Sequence, residues 1–293
     1  MSPDRITWRN HTVLTENIEI LPMPQRSTNR EDYQRVPRPV AAMAKDFPGG
    51  YVIAPHSHPR AQLIYAAEGV MRVTTPDGAW MVPPYRAVWV PAEVEHEVRM
   101  SGSPVAMRTL YIAPKAAPRA LASCAVIEVS PLLRALILRA VEEPVEYDER
   151  GGAGLVMALI LEELGRATSV PLGIPLPRDP RLAVLCRALL DDPATPDTLD
   201  VWAERAGASA RTLARLFQRE TGMGFTQWRQ HVRLAEAVAR LANGDPVARV
   251  AESLGYGSAS AFTAMFHRAL GSTPRHYLAR GDHANERSVH VRA

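Results

Sequence analysis

The chain has 293 residues, 46% hydrophobic and 22% charged, enough to bury two cores of ordinary size. Its formal net charge of +3 is unevenly spread, because residues 178–293 hold 16 Arg and no Lys against 12 acidic residues, while residues 1–177 hold 18 basic and 19 acidic ones. Two cysteines, Cys124 and Cys186, exclude a disulfide framework and a zinc–cysteine site.

Residues 1–40 mix Pro, Arg and polar residues with little periodicity and read as an N-terminal arm without an apolar leader. From 41 to 115 the texture is short β-rich runs cut by Pro and Gly. They include Gln62–Ala66, Gly69–Thr74, Ala87–Val90 and Val105–Ile112, with a turn at Thr75-Pro76-Asp77-Gly78. Many short strands with regular turns predict a small barrel or jelly roll. Residues 116–168 form a helical connector, with apolar residues at helical spacing in Pro131–Glu143 and Gly154–Ala167. The second of these is apolar on more than one face, which calls for cover from the barrel or a second subunit. Its apolar run, Leu155–Leu161, is too short to span a bilayer, so a soluble, cytoplasmic protein with no membrane partner is expected. Residues 169–180 carry four prolines in twelve positions and read as an inter-domain linker. Helix follows helix over 181–281, and 282–293 is a tail.

The C-terminal region repeats itself. Ala203, Glu204 and Gly207 match Ala251, Glu252 and Gly255 at an offset of 48; Leu213, Leu216, Phe217, Arg219 and Gly222 then match Phe262, Met265, Phe266, Arg268 and Gly271 at 49. Each copy holds the parts of a helix-turn-helix: a small residue where helices cross, a turn glycine, and a serine cap at Ser209 or Ser258. In the first copy, Arg211, Thr212 and Arg215 occupy the face that would enter the major groove. Phe225–Leu241 is one amphipathic helix of roughly 25 Å joining the two copies. That length is of the order needed to set two recognition helices about one DNA turn, 34 Å, apart.

The stretch from Leu199 to Tyr277, with RTLARLFQRETGM, WRQHVRLAEAVARL, VAESLGYGSASAF and STPRHYL, resembles the DNA-binding domain of the AraC/XylS family of regulators. The resemblance implies base contacts from Arg211, Ala214 and Arg215 in the first unit and from Ser260, Thr263 and Ala264 in the second. Ala264 stands at the match to Arg215, where the family often has Arg. The first unit is therefore expected to carry most base readout, with Arg268 and Arg275 of the second as phosphate contacts or plain surface charge.

In the barrel, His56 and His58 are two residues apart, which on a strand projects both to one face. With Gln62 and His96 they make three imidazoles and a side-chain oxygen, a set suited to a first-row divalent metal. The same residues also suit a metal-free polar effector pocket, or structural hydrogen bonding. Residues 50–112 resemble the cupin fold. The first motif, from Gly50 through His56, His58 and Gln62 to Gly69, is matched with Gln62 in place of the usual Glu. The second keeps Pro91 and His96 but has Tyr85, Glu93 and Met100 at its Gly, Gly and Asn positions.

The expected architecture is an α+β multidomain chain with a cupin-like β-barrel, a helical connector and an all-α double helix-turn-helix domain. The expected function is non-enzymatic transcription regulation. A homodimer would bind a double-stranded DNA operator, sense a small molecule or metal in the barrel, and have RNA polymerase as a further partner. A divalent ion in the barrel is the one cofactor expected. The competing class is a metal-dependent cupin enzyme fused to a DNA-binding domain; Gln62 weakens its metal set, and Glu68 is the nearest carboxylate.

Overall fold

The computed structural model describes residues 27–277, apart from Pro84 and Pro171. The tail at 282–293 and residues 1–26 of the expected arm lie outside the described residues. Nine strands come first: β1 (Val40–Phe47), β2 (Val52–His56), β3 (Ala61–Glu68), β4 (Met71–Thr75), β5 (Gly78–Val82), β6 (Arg86–Val90), β7 (His96–Met100), β8 (Val105–Ile112) and β9 (Ala125–Glu128). Two helices, α1 (Pro131–Ala140) and α2 (Gly152–Arg166), precede two short strands, β10 (Ser169–Val170) and β11 (Gly173–Pro175). Six helices end the described chain: α3 (Pro180–Asp191), α4 (Leu199–Arg205), α5 (Ala210–Thr221), α6 (Phe225–Ala242), α7 (Val247–Ser253) and α8 (Ala259–Leu270).

The strands form two antiparallel sheets, ordered β1-β8-β3-β6-β9-β10 and β11-β5-β4-β7-β2. The expected turn closes the β4–β5 hairpin, with Thr75 opposite Gly78. Between the sheets, Ile64, Val88 and Met107 meet Val73, Val82 and Met100, all 2% exposed or less. The outer face of the larger sheet (Leu63, Trp89, Leu110) is covered by Leu133, Ile137 and Ile160 of α1 and α2. The outer face of the smaller sheet (Ala79, Met81, together with Ile174) is covered by Leu182 and Leu185 of α3 and Trp228 and Val232 of α6. Cover on both faces explains why β3 and β5 are buried almost residue after residue instead of alternating.

Two segments differ from the sequence expectation. Residues 169–180, expected as a linker, include strands β10 and β11, each at the edge of a sheet, so Ser169–Val170 and Gly173–Pro175 are sewn into the barrel. Prolines suggested a spacer, yet an edge strand tolerates them because one of its sides makes no ladder hydrogen bonds. The end of the expected arm is ordered as well. Arg30–Tyr33 form a 3-10 turn capped by Asn29, and Tyr33 is buried against Tyr111. Arg60, 5% exposed, ties this segment down by donating to the carbonyls of Gln34, Val36 and Arg38.

Candidate nucleic-acid interface and candidate metal centre

The two repeats fold alike. Gly207 and Gly255 both take left-handed backbone, at φ 60° and 76°. That bend lets the next N–H, of Ala208 or Tyr256, reach back to the carbonyl of Ala203 or Ala251 at 3.0 and 2.9 Å. The hydroxyl of Ser209 accepts from Thr212 N and that of Ser258 from Ala261 N, both at 3.1 Å, so each second helix is capped in the same way. Leu213, Leu216 and Phe217 of α5 and Phe262, Met265 and Phe266 of α8 are buried. The opposite faces are open to solvent: Arg211, Ala214 and Arg215 on α5, and Ser260, Ala264 and Arg268 on α8. Thr212 and Thr263 are half-buried, and the Thr212 hydroxyl already engages that of Ser209 at 2.9 Å.

Electrostatics separates these side chains. Arg205 is paired with Asp197 at 2.6 Å and Arg219 with Glu220 at 3.2 Å. Arg211, Arg215 and Arg268 have no ion pair among the described residues, so each keeps its charge available for a phosphate or a base. His267, not singled out from the sequence, joins Ser260, Thr263, Ala264 and Arg268 around a shallow depression on α8. Its spacing of four from Thr263 and seven from Ser260 was the available signal.

The joining helix α6 divides its faces between the two units. Trp228, Val232 and Ala235 pack with α3, α4 and α5, whereas Leu234, Val238 and Leu241 pack with α7 and α8. The first set is continuous with the barrel, and the Trp228 indole donates to the Pro175 carbonyl at 2.7 Å.

In the barrel, His56 ends β2 and lies opposite His96, which opens β7, while Gln62 sits on β3 of the other sheet. His58 lies past the end of β2, so it joins His56 through the following loop and not by strand alternation. The four side chains nevertheless converge. Ring centroids of His56 and His58 lie 4.4 and 5.1 Å from that of His96, and the ligand atoms of the three imidazoles lie within 4.8 Å of one another, a spacing that can hold a metal ion. His58, His96 and Gln62 are buried; His56 is half-buried.

The hydrogen bonds bear on what the set can hold. Thr109 donates its hydroxyl to the Leu63 carbonyl at 3.0 Å, so its oxygen accepts from Gln62 Nε2 at 2.8 Å. That chain turns Gln62 Oε1 towards His58 Nε2 at 2.9 Å and His96 Nε2 at 3.0 Å. The Nδ1 atoms of His56, His58 and His96 face the carbonyls of Ala54, Arg60 and Val94 at 2.8, 2.6 and 2.9 Å. A neutral imidazole has one N–H, and the carbonyls claim it at Nδ1. The Nε2 lone pairs of His58 and His96 are then aimed at an oxygen that is itself an acceptor. A cation between them removes that conflict, and backbone carbonyls on Nδ1 are the partners that metal-bound histidines commonly have. Protonating the rings would also remove it. At His96, however, burial holds the pKa down at about 4, helped by the neighbouring His56 and His58 and only partly offset by the Val94 hydrogen bond. Burial lowers that of His56 too. The residues present therefore fit a divalent ion.

Two departures from the cupin pattern prove conservative in backbone terms. Tyr85 and Glu93, at the motif's glycine positions, have φ 63° and 61° and are the positive-φ non-glycine residues among those described. The left-handed turns persist at a cost of about 1–2 kcal/mol each. At Glu93 the turn is useful, because its N–H donates to the His58 carbonyl at 2.9 Å.

A barrel with a convergent polar set, joined to paired helix-turn-helix units, defines the class of DNA-binding regulators that carry a ligand-binding domain. The family model for an AraC-like ligand binding domain matches residues 40–210, and that for a helix-turn-helix domain matches 202–280. The chain is 35% identical over 225 residues to the HTH-type transcriptional regulator NimR of Escherichia coli strain K12, covering 77% of this chain and 82% of that protein. It is 36% identical over 100 residues to the HTH-type transcriptional regulator RipA of Corynebacterium glutamicum, covering 34% and 30%. A solved structure of the DNA-binding domain of AdpA, a global transcriptional factor, in complex with a target DNA is 32% identical, covers 36% of this chain and 94% of that one, and has a TM-score of 0.33. The chain belongs to the AraC family of transcriptional regulators: it is a DNA-binding protein with a ligand-binding domain, and its relatives are named as regulators, not enzymes. Among the described residues no helix is long and apolar enough to cross a membrane.

Proposed function

We propose that this regulator holds a divalent metal ion at His56, His58, Gln62 and His96, binds a small-molecule effector beside it, and alters its grip on an operator in response. The observation that carries the metal reading is the Gln62 amide oxygen facing two imidazole nitrogens whose protons are claimed elsewhere. The protein acts in the cytoplasm as a homodimer. Leu132, Leu155 and Leu159 of the α1–α2 hairpin, 48–67% exposed, supply an apolar face for a second copy. Arg211, Ala214 and Arg215 read bases; Ser258, Ser260, Thr263, Ala264 and Arg268, with Thr212, position the duplex. Activation would add RNA polymerase as a partner.

Coupling requires that the effector prefer one arrangement of the dimer. The route available is short, because the smaller sheet's outer face and the first unit share one buried cluster. The test pairs two measurements on the parent and a His56→Ala/His58→Ala double variant: metal content after purification, and operator affinity with and without added metal. Loss of metal together with loss of the metal-dependent change in affinity is expected. Equal metal content in both proteins would overturn the metal reading. Uptake should fall in acid as protons compete for the imidazoles.

A further inference from the structure

We infer that the effector is a small organic anion with an apolar body, which places a carboxylate-type oxygen against the metal on the side that the protein leaves open. The inference rests on the metal reading above and adds the chemistry of the molecule that completes the site.

Charge supplies the first argument. Three neutral imidazoles and a neutral amide leave the double charge of a bound ion uncompensated. A buried charge without a counter-charge is costly, and an anionic ligand is the direct remedy. Gln62 at the position where cupins usually carry Glu then has a purpose: the missing carboxylate is supplied by the effector.

Geometry supplies the second. A cavity of about 380 Å³ opens between the sheets, and both His56 and Gln62 line it. Four protein donors leave a first-row ion short of six, and the cavity meets the set at His56 and Gln62. His56 faces that side as the half-buried member of the set.

The rest of the lining supplies the third. Arg30 and Lys45 bring two cations to the cavity, against one carboxylate, Glu31, which Arg30 already engages at 3.3 Å. Lys45 is half-buried, donates to the Thr28 carbonyl at 3.2 Å and has no carboxylate partner among the described residues. Met43, Phe47, Ile53, Val98 and Met107 supply the apolar part of the remaining lining, beside the polar groups of Thr28, Asn29 and Tyr111. Such a cavity suits a ligand that is charged at one end and apolar over the rest.

The test loads the full-length protein with cobalt(II) and titrates it with benzoate, using benzamide as the neutral molecule of the same shape. Benzoate should shift the visible bands of bound cobalt and bind more tightly than benzamide, and that preference should vanish in the metal-free protein. Lys45→Met should weaken benzoate several-fold at unchanged cobalt content, and Lys45→Arg should restore it. Cobalt bands that stay still up to the solubility limit of benzoate, or equal binding of benzoate and benzamide, would overturn the inference and leave the metal reading standing. A parent protein that takes up no cobalt would overturn both.

Discussion

The two helix-turn-helix units share a backbone plan and differ in what they are fastened to. The first shares a buried cluster with the barrel's smaller sheet, through Ala79, Met81 and Ile174. The second closes its own cluster around Phe262 and Phe266 and meets Arg86 of the barrel through Tyr277, the guanidinium lying 5.7 Å from the ring centroid. Their exposed faces differ in the same direction. The first offers Arg211 and Arg215; the second has Ala264 at the match to Arg215. The lesson is that duplication copied the scaffold and left the chemistry free to diverge. The unit proposed to read more of the bases is also the one that packs against the barrel.

The sharpest way to break this comparison is to empty each core in turn. Phe217→Ala and Phe266→Ala should each cost about 3–5 kcal/mol of stability. Only Phe217→Ala should also raise hydrogen exchange in β5, because its ring stacks edge-on against Trp228 at 5.5 Å within the cluster shared with the barrel. Equal exchange in β5 for both variants would mean that the units are coupled alike. On DNA, Arg215→Ala should weaken specific binding by about 1–3 kcal/mol and relax discrimination at one position; unchanged operator affinity would remove it from the reading face. The caps test likeness instead of difference. Ser209→Ala and Ser258→Ala should each cost about 1 kcal/mol in thermal or denaturant unfolding, and by similar amounts, since their hydrogen bonds are the same length. The smallest effect is expected of Arg268→Ala: a weakening that is uniform across DNA sequences, with the salt dependence reduced by about one phosphate contact. A sequence-dependent loss there would make the second unit a reader.

Much of this was legible in the residues. The repeat at offsets 48 and 49, with its glycines and serines, located both turns and both caps, because those features depend on local backbone chemistry. That the second connector helix needs cover followed from apolar spacing, but that the larger sheet receives α1 and α2 did not. Nor were the strands β10 and β11 legible, since Ser169–Pro175 is too short and too proline-rich to signal pairing, and only the tertiary edge it joins makes it a strand. The four side chains of the candidate metal site were legible as a set, but for one partly mistaken reason: His58 lies in a loop, held by the Arg60 carbonyl and by the backbone of Glu93. The roles of Thr109, Arg60, Arg30 and Lys45 depend on contacts between residues distant in the chain, and nothing local announces them.

The central claim, unequal readout by two like units, is tested most directly by a scan of every single-base substitution across an operator selected by the wild-type protein. The account predicts one cluster of positions where a change costs about 1–3 kcal/mol, and a second segment about one DNA turn away that tolerates substitution. Two clusters of equal cost would contradict it.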